Sequence, residues 1–178
     1  DHCTRLCHAS SVAALMEGIG SGAVSAPFTA ARDADLILVI GARPTVNHPV
    51  AATYLKQAAK RGAKLVIADP RGQPLARYAW RTLQFKADTD VALLNAMLHV
   101  IVAERLYDEQ YVQAHVDGFD ELAEKVRAFP PEAMAEHCGI DAATIREVAR
   151  AYARAERAII FWGMGISQHV HGTDNARC

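Results

Sequence analysis

The sequence has 178 residues, of which 51% are hydrophobic and 22% charged, with a formal net charge of −1 at pH 7. This composition is typical of a folded globular chain, because disordered chains have fewer apolar residues and a larger net charge. Its 19 basic residues are balanced by 20 acidic ones, so we expect no basic surface for a nucleic-acid backbone.

Membrane and disulfide-rich classes are also disfavoured. Apolar runs such as 36–40 and 158–162 are far shorter than the roughly 20 residues that span a bilayer, so no membrane insertion is expected. Four cysteines are too few for a disulfide scaffold. We therefore expect a reducing, cytoplasmic location.

The first half of the chain predicts a β-α-β unit. Residues 35–41 form a continuous apolar run, which is typical of a strand buried on both faces of a parallel sheet. Residues 48–61 follow as a helix, with a proline in the first turn and Gly62 after the end. Residues 64–69 are a second buried strand. Such a unit places its two strands parallel in one sheet.

The second half alternates strands with helices. The predicted elements are a strand over 81–85, a helix over 90–104, a helical stretch over about 108–155 and a last strand over 157–162. Asp90 and Asp141 are the predicted N-caps of the helices that they begin. The pattern predicts an α/β fold: a doubly wound, mainly parallel sheet with flanking helices, Rossmann-like, in addition to the helical stretch.

Glycines and polar residues follow the predicted strands, where an open parallel sheet binds its ligands. Gly41 allows the backbone to approach a ligand closely. The N-terminus of the next helix offers N–H groups to a phosphate. Asp69 is placed to accept hydrogen bonds from a ribose or a purine, and Arg71 to pair with a phosphate. Gln168 offers an amide to a polar ring system. Together these residues predict a nucleotide-like ligand.

Each of these residues also has a structural explanation. A glycine at a strand end commonly serves a turn, and Asp-Pro commonly starts one. The chain has no G-x-G-x-x-G after its first strand and no Walker A loop, so the strongest sequence signals for ordinary NAD and ATP binding are missing.

The N-terminal segment is rich in groups that bind metals, namely His2, Cys3, Cys7 and His8. The spacing of its two cysteines is not the C-x2-C of structural zinc. Ser10 or Ser11 is predicted to cap a helix over 12–17, which would place Cys7 near a helix N-terminus, where the thiolate is favoured. His8 can take or give a proton near neutral pH. The segment predicts either a soft metal ligand beside a base, or a buried cysteine and a surface histidine.

Residues 3–15, Cys-Thr-Arg-Leu-Cys-His-Ala-Ser-Ser-Val-Ala-Ala-Leu, resemble the active-site segment of the molybdenum or tungsten formate dehydrogenases. These enzymes belong to the bis-molybdopterin guanine dinucleotide family, also called the dimethyl sulfoxide reductase family. Further segments that resemble this family, in the same order, are 18–25, 35–49, 64–71, 89–97 and 162–168.

The resemblance implies that Cys7 is the metal ligand and that Cys7 and His8 are catalytic. The Cys-His pair resembles the formate enzymes, whereas nitrate reductases of similar sequence have Cys-Met and dimethyl sulfoxide reductases have Ser as the ligand.

The resemblance also implies a molybdenum or tungsten bis-molybdopterin guanine dinucleotide cofactor. Its implied contacts are Gly41, Arg43, Asn47, Asp69, Arg71, Asp88, Asp90, Gly163, Gly165 and Gln168. The chain departs from the family at two of them. Arg43 stands where the family often has Asn, and Asp88 follows Ala87 where the family commonly has Pro-Gly. Asp88 would place a carboxylate near the guanosine end.

The same resemblance implies that residues 1–178 are one α/β molybdopterin dinucleotide-binding domain, excerpted from a larger catalytic subunit. Residues 1–30 would be its active-site segment and 31–178 its nucleotide-binding core. The whole enzyme would oxidise formate to CO2 reversibly and pass electrons through iron–sulfur clusters, located elsewhere in the subunit, to iron–sulfur and flavin partner subunits and NAD. The alternatives are an isolated nucleotide-binding fragment without activity, and a related molybdopterin enzyme such as a nitrate reductase.

Overall fold

The computed structural model describes residues 1–178 and contains one four-stranded sheet, in which every strand is parallel to its neighbours. The strands are β1 (Leu36–Ile40), β2 (Lys64–Ala68), β3 (Arg81–Leu83) and β4 (Ala158–Trp162), in the order β3-β2-β1-β4. Ile40 at the end of β1 pairs with Ala68 of β2 and with Trp162 of β4. The carboxyl ends of these three strands therefore lie together at one edge of the sheet.

The helices flank this sheet or follow it in the chain. They are α1 (Cys3–Leu6), α2 (Ala9–Ile19), α3 (Pro44–Asn47), α4 (Pro49–Lys60), α5 (Asp90–Ala103), α6 (Glu109–His115), α7 (Phe119–Val126), α8 (Pro131–Cys138), α9 (Ala142–Ala153), α10 (Met164–Ser167) and α11 (Gly172–Arg177). Two 3-10 turns cover Phe28–Arg32 and Pro74–Tyr78. The predicted α/β class with a parallel sheet is confirmed.

Burial explains why β1 is apolar at every position. All five of its residues are buried. Leu36 and Ile40 point to one face of the sheet and Ile37 points to the other, so both faces of the strand are covered. One face of β1 and β2 packs against Leu55 and Ala58 of α4. A strand covered on both faces needs apolar residues throughout rather than in alternation.

The chain divides into two compact units. The first contains residues 1–84 and 156–178 and holds the whole sheet. The second contains residues 85–155 and consists of α5 to α9. No helix of the structure has the length and apolarity that crossing a membrane requires.

In the second unit, α5 packs against α7, α8 and α9. This unit confirms the predicted helical stretch over 108–155. The Asp141 carboxylate accepts the backbone N–H of Thr144 at 2.8 Å, which confirms Asp141 as the N-cap of α9. The prediction that Asp90 caps α5 was wrong. The N-cap is Thr89, and Asp90 is the first helical residue, buried with 3% of its surface exposed.

Candidate functional site at the carboxyl ends of β1 and β4

The strand order creates a switch point between β1 and β4. The connection after β1 leads to β2 on one side, whereas β4 lies on the other side of β1. In open parallel sheets, ligands bind outside the carboxyl ends of strands at such a point. The segments that leave β1 and β4 begin with Gly41 and Gly163, so this edge of the sheet is the candidate site.

Three glycines let the two exit segments pack in close contact. Gly41 has a left-handed φ of 58°, and its carbonyl accepts the N–H of Gly165 at 2.9 Å. A Cβ on Gly41 would lie 2.9 Å from the carbonyl carbon of Gly165, and one on Gly165 would lie 2.7 Å from the Cα of Gly41. A Cβ on Gly163 would lie 2.7 Å from the Gly41 carbonyl oxygen. The glycines thus meet a packing requirement of the chain itself, and their contact with a cofactor stays a prediction.

Helix α1 brings the metal-binding groups of the N-terminal segment together. The N–H of Cys7 donates to the Cys3 carbonyl at 2.8 Å, which closes one helical turn and places the two side chains on the same face. Ligand atoms of Cys3, Cys7 and His8 all lie within 4.8 Å of one another. Cys3 Sγ is 3.9 Å from Nδ1 of His8. Sequence reasoning named all three residues, but the role of Cys3 as their neighbour was missed.

The predicted cap of the following helix was wrong. Helix α2 begins at Ala9 with His8 at the N-cap position. The Ser10 hydroxyl instead donates to the Ser167 carbonyl at 2.6 Å, and Ser11 Oγ forms a hydrogen bond with Ser167 Oγ. Trp162 Nε1 donates to Ser11 Oγ at 3.0 Å. The serines hold α2 against the segment that leaves β4, so their hydroxyls are not used for capping.

Cys7 lies directly before the N-cap of α2, as predicted, because His8 is that N-cap. Cys7 is also the C-cap of α1, where carbonyl groups are free, so the ends of two helices with opposite dipoles meet at this residue. Partial burial, followed by the neighbouring Cys3 thiol, raises the pKa of the Cys7 thiol. The predicted lowering of this pKa was therefore wrong, and a bound metal ion would supply the positive charge that stabilises a thiolate.

The segment after β4 contributes two neighbours of Cys7. Met164 Sδ lies 3.3 Å from Cys7 Sγ. The side-chain amide of Gln168 donates to the Cys7 carbonyl at 3.5 Å and lies 3.8 Å from Cys7 Sγ. Gln168 was predicted as a site residue and lies beside Cys7. Met164 was missed, although its place between Gly163 and Gly165 in a strand-exit segment was a usable signal.

Asp69 is fixed at the carboxyl end of β2 by the chain itself. Its Oδ1 accepts the N–H of Arg71 at 2.8 Å, and its Oδ2 accepts Nε2 of Gln73 at 3.2 Å. Nε2 of Gln73 also donates to the Ala42 carbonyl at 3.1 Å, which links the exits of β1 and β2. Gln73 was not predicted, because its role depends on a contact 31 residues away along the chain. Each Asp69 oxygen retains a second lone pair for a ligand.

The remaining predicted cofactor residues differ in exposure and location. The side chains of Arg43, Asn47 and Arg71 are exposed at the exits of β1 and β2 and form no hydrogen bond or ion pair within the chain. Asp88 and Asp90 belong to the second unit, where Asp88 is exposed and adopts a left-handed φ of 65°. The structure thus brings Cys7, His8, Gly163, Gly165 and Gln168 to one edge of the sheet together with Gly41.

This arrangement defines an α/β fold with a parallel sheet that presents a cysteine near the switch point of the sheet. A profile of the family "Molybdopterin oxidoreductase" matches residues 1–178. The chain therefore belongs to the molybdopterin oxidoreductase family, which implies a molybdenum or tungsten pterin cofactor.

Two of its relatives are named as formate dehydrogenases. Formate dehydrogenase H of Escherichia coli is 39% identical over 177 residues, which are 99% of this chain and 25% of that protein. The F420-dependent formate dehydrogenase subunit alpha of Methanocaldococcus jannaschii is 38% identical over 174 residues, 98% of this chain and 26% of that protein. The chain thus spans about a quarter of the length of these relatives.

A solved structure confirms the fold assignment. Acetylene hydratase from Pelobacter acetylenicus is similar with a TM-score of 0.85 and 30% sequence identity, over 98% of this chain and 24% of that one. By name, that protein acts on a different substrate from the formate dehydrogenases, so the shared fold does not by itself define a substrate.

The residues at the edge of the sheet fit the cofactor that the family implies. Cys7 offers a soft sulfur donor, the ligand type that such metals accept, and its side chain is only partly buried. The exposed guanidinium groups of Arg43 and Arg71 suit the phosphate of a pterin cofactor. Cys7, Arg43 and Arg71 are thus the residues best suited to hold the group.

Proposed function

We propose that this chain is part of the catalytic subunit of a formate dehydrogenase, an enzyme that oxidises formate to CO2 reversibly. The observation that carries the proposal is the Cys7-His8 pair, which α1 and α2 place against the segment that leaves β4. Its support is the 39% and 38% identity to two formate dehydrogenases over nearly the whole chain.

In this proposal Cys7 is the protein ligand of the metal. Its thiol loses a proton on binding, as every thiol that becomes a ligand does. The Gln168 amide, 3.8 Å from the sulfur and 3.5 Å from the Cys7 carbonyl, holds this segment and directs a partial positive charge toward the thiolate. When bound, the molybdenum or tungsten centre accepts the two electrons that formate loses.

His8 is the residue that orients formate or takes its proton. Oxidation of formate yields CO2, one proton and two electrons, so the site needs a proton acceptor near neutral pH. Nδ1 of His8 faces Cys3 Sγ at 3.9 Å, which leaves Nε2 for the substrate.

Residues at the carboxyl ends of the strands would hold the nucleotide part of the cofactor. Asp69, held by Arg71 N–H and Gln73, accepts hydrogen bonds from a purine base. Arg43 and Asn47 lie at the exit of β1, where a pyrophosphate would pair with the guanidinium group. We further propose that Asp88 and Asp90 contact the guanosine end.

We further propose that the electrons would pass to iron–sulfur clusters in other parts of the subunit, and from there to a flavin partner subunit and NAD in the cytoplasm. The acceptor differs among the relatives, because one is named for dependence on F420. The acceptor is therefore a separate proposal from the substrate.

The test is an assay of the whole protein that contains this chain, loaded with its cofactor. We expect formate-dependent reduction of an artificial dye, and reduction of NAD when the partner subunits are present. Nitrate and acetylene are the comparison substrates. Turnover of nitrate would indicate a nitrate reductase relative, and hydration of acetylene without formate oxidation would indicate a relative of the solved structure. Either result in place of formate oxidation would overturn the proposal.

The second candidate concerns the isolated chain of residues 1–178. Its relatives are about four times as long, so we expect the isolated chain to act as a nucleotide-binding module without catalysis. Metal analysis and formate-dependent dye reduction on the isolated chain test this expectation, and activity would contradict it.

A further inference from the structure

The N-terminal segment and the loop after β4 together hold more soft donors than the proposed function uses. That function needs Cys7 alone as a metal ligand. The structure also places Cys3, His8 and Met164 around it: ligand atoms of the two cysteines and the histidine lie within 4.8 Å, and Met164 Sδ lies 3.3 Å from Cys7 Sγ. We call these four side chains the sulfur cluster.

We propose that the sulfur cluster binds one monovalent copper ion in the protein before its cofactor is inserted. Two thiolates, an imidazole and a thioether are a soft donor set, which selects Cu+ rather than hard cations. The cluster contains no carboxylate, the group that magnesium, calcium and manganese favour. Structural zinc sites are built from cysteine and histidine, so the thioether of Met164 favours copper over zinc.

The spacing of the donors already suits a small ion. Sulfur ligands at about 2.3 Å from a metal in tetrahedral geometry lie roughly 3.8 Å from one another. In the structure, Cys3 Sγ is 3.9 Å from His8 Nδ1, and Cys7 Sγ is 3.3 Å from Met164 Sδ. Both separations are therefore close to the distance between two donors that share one metal ion.

The cluster is open to an incoming ion. Cys3 is exposed, Cys7 and His8 are half-buried, and 38% of the Met164 surface is exposed. On binding, each of the two thiols gives its proton to solvent and the copper keeps its oxidation state. The neutral His8 ring contributes a lone pair.

The test uses the full-length protein purified from a host that cannot make the pterin cofactor. Cu+ is titrated anaerobically in competition with a chromogenic chelator of monovalent copper. Cys3→Ser and Met164→Leu remove one donor each without touching Cys7, and Cys178→Ser removes an exposed thiol outside the cluster as the matched control. Each variant differs from the wild type at one side chain only, so a change in copper affinity reports on that side chain.

We expect one tight site, weakened roughly 100-fold by Cys3→Ser and about tenfold by Met164→Leu, and unchanged by Cys178→Ser. X-ray absorption at the copper edge should show sulfur and nitrogen neighbours, with fewer sulfur neighbours in Cys3→Ser. Unchanged affinity in both cluster variants would overturn the proposal, as would tighter binding of Zn2+ than of Cu+. The copper titration is independent of the substrate, so failure of the formate assay leaves its result intact.

Discussion

His8 occupies a position in which its two ring nitrogens have different surroundings. Nδ1 lies 3.9 Å from Cys3 Sγ, and the backbone carbonyl of His8 accepts the N–H of Val12 as the first hydrogen bond of α2. The main chain at His8 therefore serves the helix whatever the side chain is. This separation makes the imidazole open to substitution without loss of the local fold.

We predict that His8→Ala lowers formate turnover roughly 100-fold, the usual contribution of a general acid or base. The metal content per subunit should stay near the wild-type value, because His8 is not the proposed ligand. Turnover and metal content are measured on the same preparation. His115→Ala, which changes an exposed histidine in the second unit, should leave both unchanged. An equal loss of metal and turnover would contradict the proton-transfer role.

At the scale of elements, the exits of β1 and β4 depend on glycine at their closest approach. Gly41→Ala adds a methyl group 2.9 Å from Gly165 and Ile166 at a left-handed φ. We predict a loss of about 3 kcal/mol in the free energy of unfolding, since strain and overlap add. Gly72→Ala is the control, because a Cβ there meets no atom within 4 Å. Stability is measured by urea unfolding. Equal stability of the two variants would contradict the prediction, because the segments that leave β1 and β4 could then move apart without cost.

A second element-scale prediction concerns the ion pair between α9 and the C-terminal end of α5. Glu104 accepts two hydrogen bonds from Arg150, both at 2.8 Å, and these lower the pKa of the Glu104 carboxyl below its ordinary 4.5. A carboxyl with a lowered pKa in the folded state stabilises the fold above its unfolded pKa, and this contribution is lost as the pH falls.

We therefore predict that Glu104→Gln destabilises the protein by about 1 kcal/mol at pH 7, a modest value because solvent screens the pair. The difference from wild type should shrink as the pH falls below 4.5. Glu124→Gln, whose pair with Arg127 is more exposed, should have a smaller effect. A difference that stays constant down to pH 2, in unfolding curves measured across the range, would contradict the assignment.

At the scale of the whole molecule, the sequence predicted what local patterns determine. The continuous apolar run of β1 predicted a buried central strand, and the acidic residue at 141 predicted a helix cap, because both signals act over a few residues. The caps at Ser10 and Ser11 failed for the opposite reason. Their hydroxyls bond with Ser167, more than 150 residues away along the chain. The place of Met164 in a strand-exit segment was a usable signal, but its contact with Cys7, 157 residues away along the chain, is visible only in the folded structure.

The central claim is that Cys7 is the metal ligand of a formate-oxidising enzyme. Its most direct test is the formate turnover of the cofactor-loaded whole protein carrying Cys7→Ala, with Cys178→Ser as the control. Cys7 is the cysteine held against Met164 and Gln168, whereas Cys178 Sγ bonds with the Asp174 carbonyl. We predict that Cys7→Ala abolishes turnover and that Cys178→Ser retains it. Wild-type turnover in Cys7→Ala would contradict the account.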